Sequence, residues 1–461
     1  MPEIWKLANV KPIFKSGDAS LPGNYRPISL TCVLSKVMES IVRDQMLDYL
    51  LEKELLSKQQ HGFVAGRSTC TDLLESLQDW TIALNRRQGV DVLYIDFSKA
   101  FDSVVHSKLI EKLKAYGFRY ELIAWISEFL KNRRQRVTVA SRLSEIASVT
   151  SGVPQGSVIG TLLFLLFVND IAELFVNPIS CKLFADDVKL YSKISTQFDA
   201  IQLSNALQEL VDWSSKWQLK INEVKSSILN LGSIKTGVCY SISGSELPVV
   251  NIVRDLGIQV DSSLKFSYHT SQITNAAFRR LGVLLKSFTC RDLSFMRLAF
   301  VTYIRPMLEY CTPVWSPYLL TDIDSIESVQ RYFSRRIDSI KHLTYCERLA
   351  ILDLESLEQR RIKYDLVMYF KILRGFVDMT AADFFKLVDH QYPTRGHPFR
   401  IVKPRGISRS LENSFNSRCI DCWNSLPTDF VNASSVAVFK YKLKSFNFGP
   451  FLRGRAIRGP Q

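Results

Sequence analysis

Residues 181–191, CKLFADDVKLY, set two adjacent aspartates into an otherwise apolar, strand-like run. Burying one carboxylate is costly, and burying two side by side is worse unless something cationic neutralises them. Neighbouring side chains of a regular strand point to opposite faces. Asp186 and Asp187 can therefore serve one site only at the bend of a tight hairpin. Two apolar arms around an Asp-Asp turn predict that hairpin. The competing reading is a solvated turn, in which Asp is merely a good turn former.

A third carboxylate shifts the balance. Asp96 ends VLYID, whose apolar run predicts a strand buried in the middle of a sheet. Carboxylates converging from two strands make an all-oxygen site, the preference of Mg²⁺. Two such ions can flank a phosphorus atom, activating the attacking oxygen and stabilising the leaving one. That design runs phosphoryl transfer with little other protein chemistry.

Partner class follows from charge. The chain of 461 residues carries a net charge of +14, which suggests a polyanionic partner. Residues 381–461 alone hold 13 Lys/Arg against 5 Asp/Glu. At 46% apolar and 23% charged, the composition is that of a globular protein and not of a disordered one. The longest apolar run, VIGTLLFLLFV (158–168), is shorter than the ~20 residues of a membrane span, and no signal peptide opens the chain. A soluble intracellular protein is expected. Nine scattered cysteines fit reduced thiols better than a disulfide framework. Cys419 and Cys422 form one C-x-x-C with no second pair nearby, and read as partly buried thiols in preference to a zinc site.

Periodicity predicts a helix over 34–53 with Val37, Ile41, Met46 and Leu50 near one face. Another is predicted over 102–118, capped by Asp102, striped by Val105, Leu109 and Leu113, and ended by Gly117. A strand at 135–141, a Gly/Pro loop at 151–157, a helix from Val158 capped by Ser157, and an amphipathic helix at 195–217 follow. From about 268 the pattern is helical, and from about 392 it is polar and basic.

In this order the segments resemble the reverse transcriptase of non-LTR (LINE-type, jockey-like) retrotransposons. NYRPISL (24–30) and QHGFVAGRST (60–69) look like the two fingers motifs. YIDFSKAFDSV (94–104), SGVPQGSVIGTLLF (151–164), FADD (184–187) and LKINEVKS (219–226) look like palm motifs A to D. DLGIQVDSSLKFSYH (255–269) resembles the primer-grip segment, and CWNSLPTDFVNASSVAVFKYKLKSF resembles the C-terminal region. The resemblance implies an α+β right-hand polymerase: fingers over 1–90, palm over 91–270, helical thumb over 271–380, and a basic C-terminal region over 381–461.

It also implies roles. Asp96 and Asp186 would be the main metal ligands and Asp187 a weaker one, around two Mg²⁺ ions with Mn²⁺ as a substitute. Phe97 to Phe101 would cover the incoming dNTP, with Phe101 as the gate against a ribose 2′-OH. Gly152, Pro154, Gln155 and Gly156 would form a loop near template base and nucleotide. Lys225 would protonate the leaving pyrophosphate. Arg26 and Arg67, with Lys11 and Lys15 as looser candidates, would clamp triphosphate oxygens. Arg360, Arg361 and Lys363 would face the backbone of an RNA template and its DNA primer. The bland alternatives are a core aromatic for Phe101, a simple turn for the 152–156 loop, and surface solvation for the cations.

A viral RNA polymerase would more typically show Gly before the Asp pair and a second Asp in place of Phe101. Localisation in the nucleus or a cytoplasmic ribonucleoprotein follows from the family. MPEIWKLANVKPIFKSGD begins where such polymerases are already in the fingers, so a truncated copy is expected. The second reading is therefore a catalytically inactive remnant that binds nucleic acid.

Overall fold

The computed structural model describes residues 1–388, 396–404 and 408–454. Part of the basic tail, including Arg395, Arg405, Arg455 and Arg458, lies outside the described residues. By compactness the chain forms two units: residues 1–65, 90–230 and 234–250 make the first, and 66–89, 231–233 and 251–461 the second. This division differs from the four consecutive stretches expected, because both units draw on separate parts of the sequence.

The first unit is built on two sheets. In chain order it contains strands β1 (Leu7–Phe14) and β2 (Tyr25–Leu30), helix α1 (Val33–Glu52) and strand β3 (Gly89–Ile95). Helices α2 (His106–Ala115) and α3 (Tyr120–Leu130) lead to strand β4 (Arg133–Val139) and helix α4 (Val158–Val168). Strands β5 (Ser180–Phe184) and β6 (Asp187–Ile194), helix α5 (Gln197–Trp217), and strands β7 (Ser227–Leu231) and β8 (Val249–Val250) complete it. One sheet has β1 at its centre, antiparallel to β2 and parallel to β4. The other has the order β8-β7-β3-β6-β5, with β5 and β6 an antiparallel hairpin.

Apolar content explains the layering. β3 is buried along nearly its whole length, as its apolar VLYI run predicts. α4 is apolar all round and buried from Ile159 to Val168 save Thr161. Leu93, Ile95, Leu163, Phe167, Leu183, Leu190 and Trp213 join them in one core. Ser157 caps α4 by accepting from Gly160 N, as expected.

Two helices differ from the sequence reading. In α1, Met46 and Leu50 are buried, but Val37 and Ile41 are exposed, so only its C-terminal half packs as the stripe predicted. The 102–118 helix is broken into Ala100–Ser103 and α2, with Val105 and not Asp102 at the cap of α2. The break arises because residues 101–104 bond instead to the 151–153 loop: Val153 N donates to Phe101 O at 2.8 Å and Gly152 N to Val104 O at 2.8 Å.

The second unit is mainly helical, including the helix Thr69–Asn85, α6 (Ser267–Ser287), α7 (Leu320–Ser334), α8 (Leu357–Leu373) and α9 (Val436–Lys442). The described part of 381–461 packs into this unit. Phe439 of α9 stacks on Phe370 of α8 at 4.3 Å between ring centroids, and Arg418 makes a buried ion pair with Asp365 at 2.7 Å. Cys419 and Cys422 are buried thiols, and Cys419 Sγ donates to Asp365 at 3.3 Å. Among the described residues no helix is long and apolar enough to cross a membrane.

Candidate active site

The bend of the β5–β6 hairpin falls one residue earlier than the expected Asp-Asp turn. Phe184 pairs with Asp187, so the two-residue bend is Ala185 and Asp186. Ala185 takes a left-handed φ of +56°, a conformation that costs a non-glycine residue about 1 kcal/mol or more. The segment before residue 62 supports it. Gln60 Oε1 accepts from Ala185 N at 3.0 Å and from Gly62 N at 2.8 Å. His61 N donates to Leu183 O at 2.8 Å, and Leu183 N to Gln59 O at 2.9 Å. A Cβ on Gly62 would lie 2.6 Å from Ala185 N, so glycine is what lets the two loops approach.

Asp96 lies one residue beyond β3 and is held by the 219–226 segment. Asn222 N donates to Asp96 O at 2.7 Å, Ser98 N to Lys220 O at 2.8 Å, and Asp96 N to Ser226 Oγ at 3.3 Å. The turn places Lys225 Nζ 3.8 Å from Asp96 Oδ2. Burial pushes the Asp96 carboxyl above the ordinary range, against the pull of Lys225 and Lys15. Burial pushes Asp186 up too, and the Asp96 charge adds to it, while its own backbone amide, Lys15 and Arg26 oppose the rise. Asp186 thus lies in the field of Asp96, and Lys15 acts on both carboxylates, Lys225 on Asp96 and Arg26 on Asp186.

The three-carboxylate cluster expected from the sequence is a pair in the structure. Asp187 is the first residue of β6 and is exposed, whereas Asp186 in the bend is partly buried. Among the described residues, no group of three or more His, Cys, Asp or Glu converges to hold a metal. Two carboxylates, one of them within the field of the other, still fit a hard divalent cation, which takes its remaining oxygen ligands from water or substrate phosphates.

The 151–157 loop packs on both neighbours of the site. A Cβ on Gly152 (φ +84°) would lie 2.6 Å from Asp102 Cα, and one on Gly156 (φ +108°) 2.6 Å from Ser29 O. Ser29 N donates to Gln155 O at 2.7 Å, and Gln155 Nε2 to Asp102 Oδ1 at 3.1 Å. Pro154 O accepts from Ser157 Oγ at 2.9 Å. From behind, buried Glu39 of α1 accepts the amides of Val158 at 2.7 Å and Ile159 at 3.3 Å, capping α4. Phe101 is half-buried and stacks on Phe164 at 4.1 Å.

The other expected residues have varied surroundings. The Phe97 ring is 3% exposed, in the core 6.2 Å from Trp213, so it cannot cover a nucleotide as expected. Arg26 and Lys11 are exposed on the β1–β2 hairpin. Arg67 belongs to the second unit, where Asp378 Oδ2 accepts from its Nε at 2.8 Å and its Nη2 at 2.5 Å. Arg361 cannot face a nucleic-acid backbone: it is 2% exposed, among Glu327, Glu358 and Asp365. Arg360 is paired with Glu309, through Nη2 at 3.0 Å among other contacts, and Lys363 with Glu355. These three fail as a basic face because α8 is packed on most sides, which residue type alone did not reveal.

Sequence reasoning underrated two residues and passed over two more. Lys15 was a loose candidate, yet it acts on Asp96, Asp102 and Asp186 alike. Asp102 was read as a helix cap. Gln60 and Glu39 were not singled out, and among the several charged residues of α1 nothing in the sequence sets Glu39 apart.

Residues 13–282 match the family described as reverse transcriptase (RNA-dependent DNA polymerase). The chain belongs to this family, and its α+β architecture agrees with the right-hand polymerase fold expected from the sequence. Among curated relatives it is 29% identical to a probable RNA-directed DNA polymerase from transposon BS of Drosophila melanogaster, over 89% of this chain and 46% of that protein. It is 28% identical to the RNA-directed DNA polymerase from mobile element jockey of the same organism, over 73% and 38%. The chain thus spans less than half the length of these relatives. Telomerase from Candida albicans, solved with a fragment of telomeric RNA, aligns with a TM-score of 0.42 at 12% identity, over 97% of this chain and 66% of that one. Divalent-metal dependence goes with the reverse transcriptase family generally.

Proposed function

We propose that the chain carries the polymerase centre of a non-LTR retrotransposon reverse transcriptase, which adds dNTPs to a DNA primer on an RNA template. The observation that carries this reading is the electrostatic coupling of Asp186 to Asp96, with Lys15, Arg26 and Lys225 acting on one or both, within the residues matched to the family. Asp96 and Asp186 would hold Mg²⁺, two ions on this reading with Mn²⁺ as the substitute, and bound there the metal supplies Lewis acidity and charge neutralisation.

The remaining work falls to the protein's own groups. Exposed Arg26 and Lys15 offer donors to triphosphate oxygens as the incoming nucleotide binds. Lys225 Nζ, beside Asp96, carries the proton that leaves with pyrophosphate when the primer 3′ oxygen displaces it from the α-phosphorus. The Phe101 ring, braced by Phe164, blocks a ribose 2′-OH. The labels fingers (1–90), palm (91–270), thumb (271–380) and basic C-terminal region (381–461) belong to this reading.

The test is primer extension by the purified protein on an RNA template with dNTPs and Mg²⁺. Extension is expected, and Asp186→Ala is expected to abolish it. No incorporation by the unmutated chain, with tight primer–template binding retained, would instead mark a nucleic-acid-binding remnant.

A further inference from the structure

Asp102 is a half-buried acid in a place where the fold does not need one. The turn it sits in is tied to the 151–153 loop through backbone acceptors: Phe101 O takes Val153 N, Val104 O takes Gly152 N, and Asp102 O takes Ser151 Oγ at 2.9 Å. All three bonds would survive loss of the Asp102 carboxylate. Burial raises the carboxyl above the ordinary range, so keeping it charged costs stability. Its hydrogen bond goes to Gln155 Nε2 at 3.1 Å, with Lys99 and Lys15 acting only as charges nearby.

A glutamine side chain has a donor end and an acceptor end of nearly the same shape. An ionised carboxylate accepts only, so it binds the NH₂ end and rules out the flipped amide. The Gln155 backbone is fixed as well, since its carbonyl accepts from Ser29 N at 2.7 Å. Backbone pinned on one side and amide pinned on the other leave Oε1 as the end of the carboxamide that Asp102 does not take.

We propose that Asp102 is a positioning residue that orients the Gln155 carboxamide, with Oε1 as an acceptor for the incoming deoxynucleoside triphosphate. This rests on the polymerase reading above. It adds a residue that acts through Gln155 and not on the reacting atoms. A preset acceptor strengthens nucleotide binding by sparing the cost of ordering the amide on each encounter.

Single-nucleotide incorporation by the full chain tests this, with Asp102→Asn, Gln155→Ala and the double variant. Asn keeps the size of Asp but can donate to Oε1 and flip the amide. Each single variant is expected to raise KM for the dNTP about tenfold, with the smaller effect on kcat. The double variant is expected to be no worse than Gln155→Ala alone, because Asp102 has nothing left to orient. Multiplying effects, or a loss carried by kcat, would overturn the proposal. A merely structural Asp102 would lower Tm and act equally in the Gln155→Ala background. If the unmutated chain incorporates nothing, the polymerase reading fails on its own. Equilibrium dATP binding to the protein–primer–template complex then carries the same cycle. Weaker binding in both single variants without further loss in the double supports the pair, and equal binding in all four, or none in any, overturns it.

Discussion

Asp186 stands at the tip of a two-residue bend, half-buried and within the field of Asp96, which is an unfavourable place for a negative charge. The sign of the pH effect follows. Its folded-state pKa lies above the unfolded value, so the folded chain binds the proton more tightly. The penalty is absent below about pH 4, where both states are protonated, and grows as pH rises through the raised pKa. Asp186→Asn is therefore expected to raise Tm of the metal-free protein at pH 7 by roughly 2–4 °C, with the gap closing toward pH 4. A thermal melt at both pH values checks this, and an Asn variant less stable at neutral pH would refute it.

At the scale of elements, the site depends on loops that touch backbone to backbone. Gly152 has a left-handed φ, and any Cβ there would overlap the Asp102 backbone. Gly152→Ala is expected to cost about 2–4 kcal/mol, combining the backbone penalty with overpacking. Gly237 also has positive φ (+71°) but no heavy atom within 4 Å of its Cβ position, so Gly237→Ala should cost only about 1 kcal/mol. Urea unfolding of the two variants separates crowding from conformation, and equal losses would show that the loop contact is not tight. The strands, the hairpin and the cap of α4 were legible because each is a local pattern of apolar spacing or turn chemistry. The broken 102–118 helix was not. Its helical spacing is real, but the backbone at 101–104 is claimed by a loop some fifty residues away.

For the whole molecule, a net charge of +14 sets an expectation about binding. Cations that neutralise phosphates release counterions, so primer–template affinity should fall steeply with salt. The loss expected between about 50 and 200 mM salt is on the order of a thousandfold. A fluorescence-anisotropy titration across that range measures it, and a flat response would remove the charge from the binding account. The contributing cations are not those of α8. Arg360 and Lys363 are paired with Glu309 and Glu355, and Arg361 is buried. Exposed residues such as Arg26 on β2, and Lys440 and Lys444 near the end of α9, are open to a polyanion.

By itself, the sequence determined the family, the hairpin, the central buried strand and the aspartates to examine, since motif order and apolar period are written along the chain. Tertiary structure alone decided that Asp186 comes within the field of Asp96, that Phe97 points into the core, and that Asp102 meets Gln155. Those outcomes depend on which side chains face one another across loops far apart in sequence. Residue type and spacing do not encode that direction until the chain has packed.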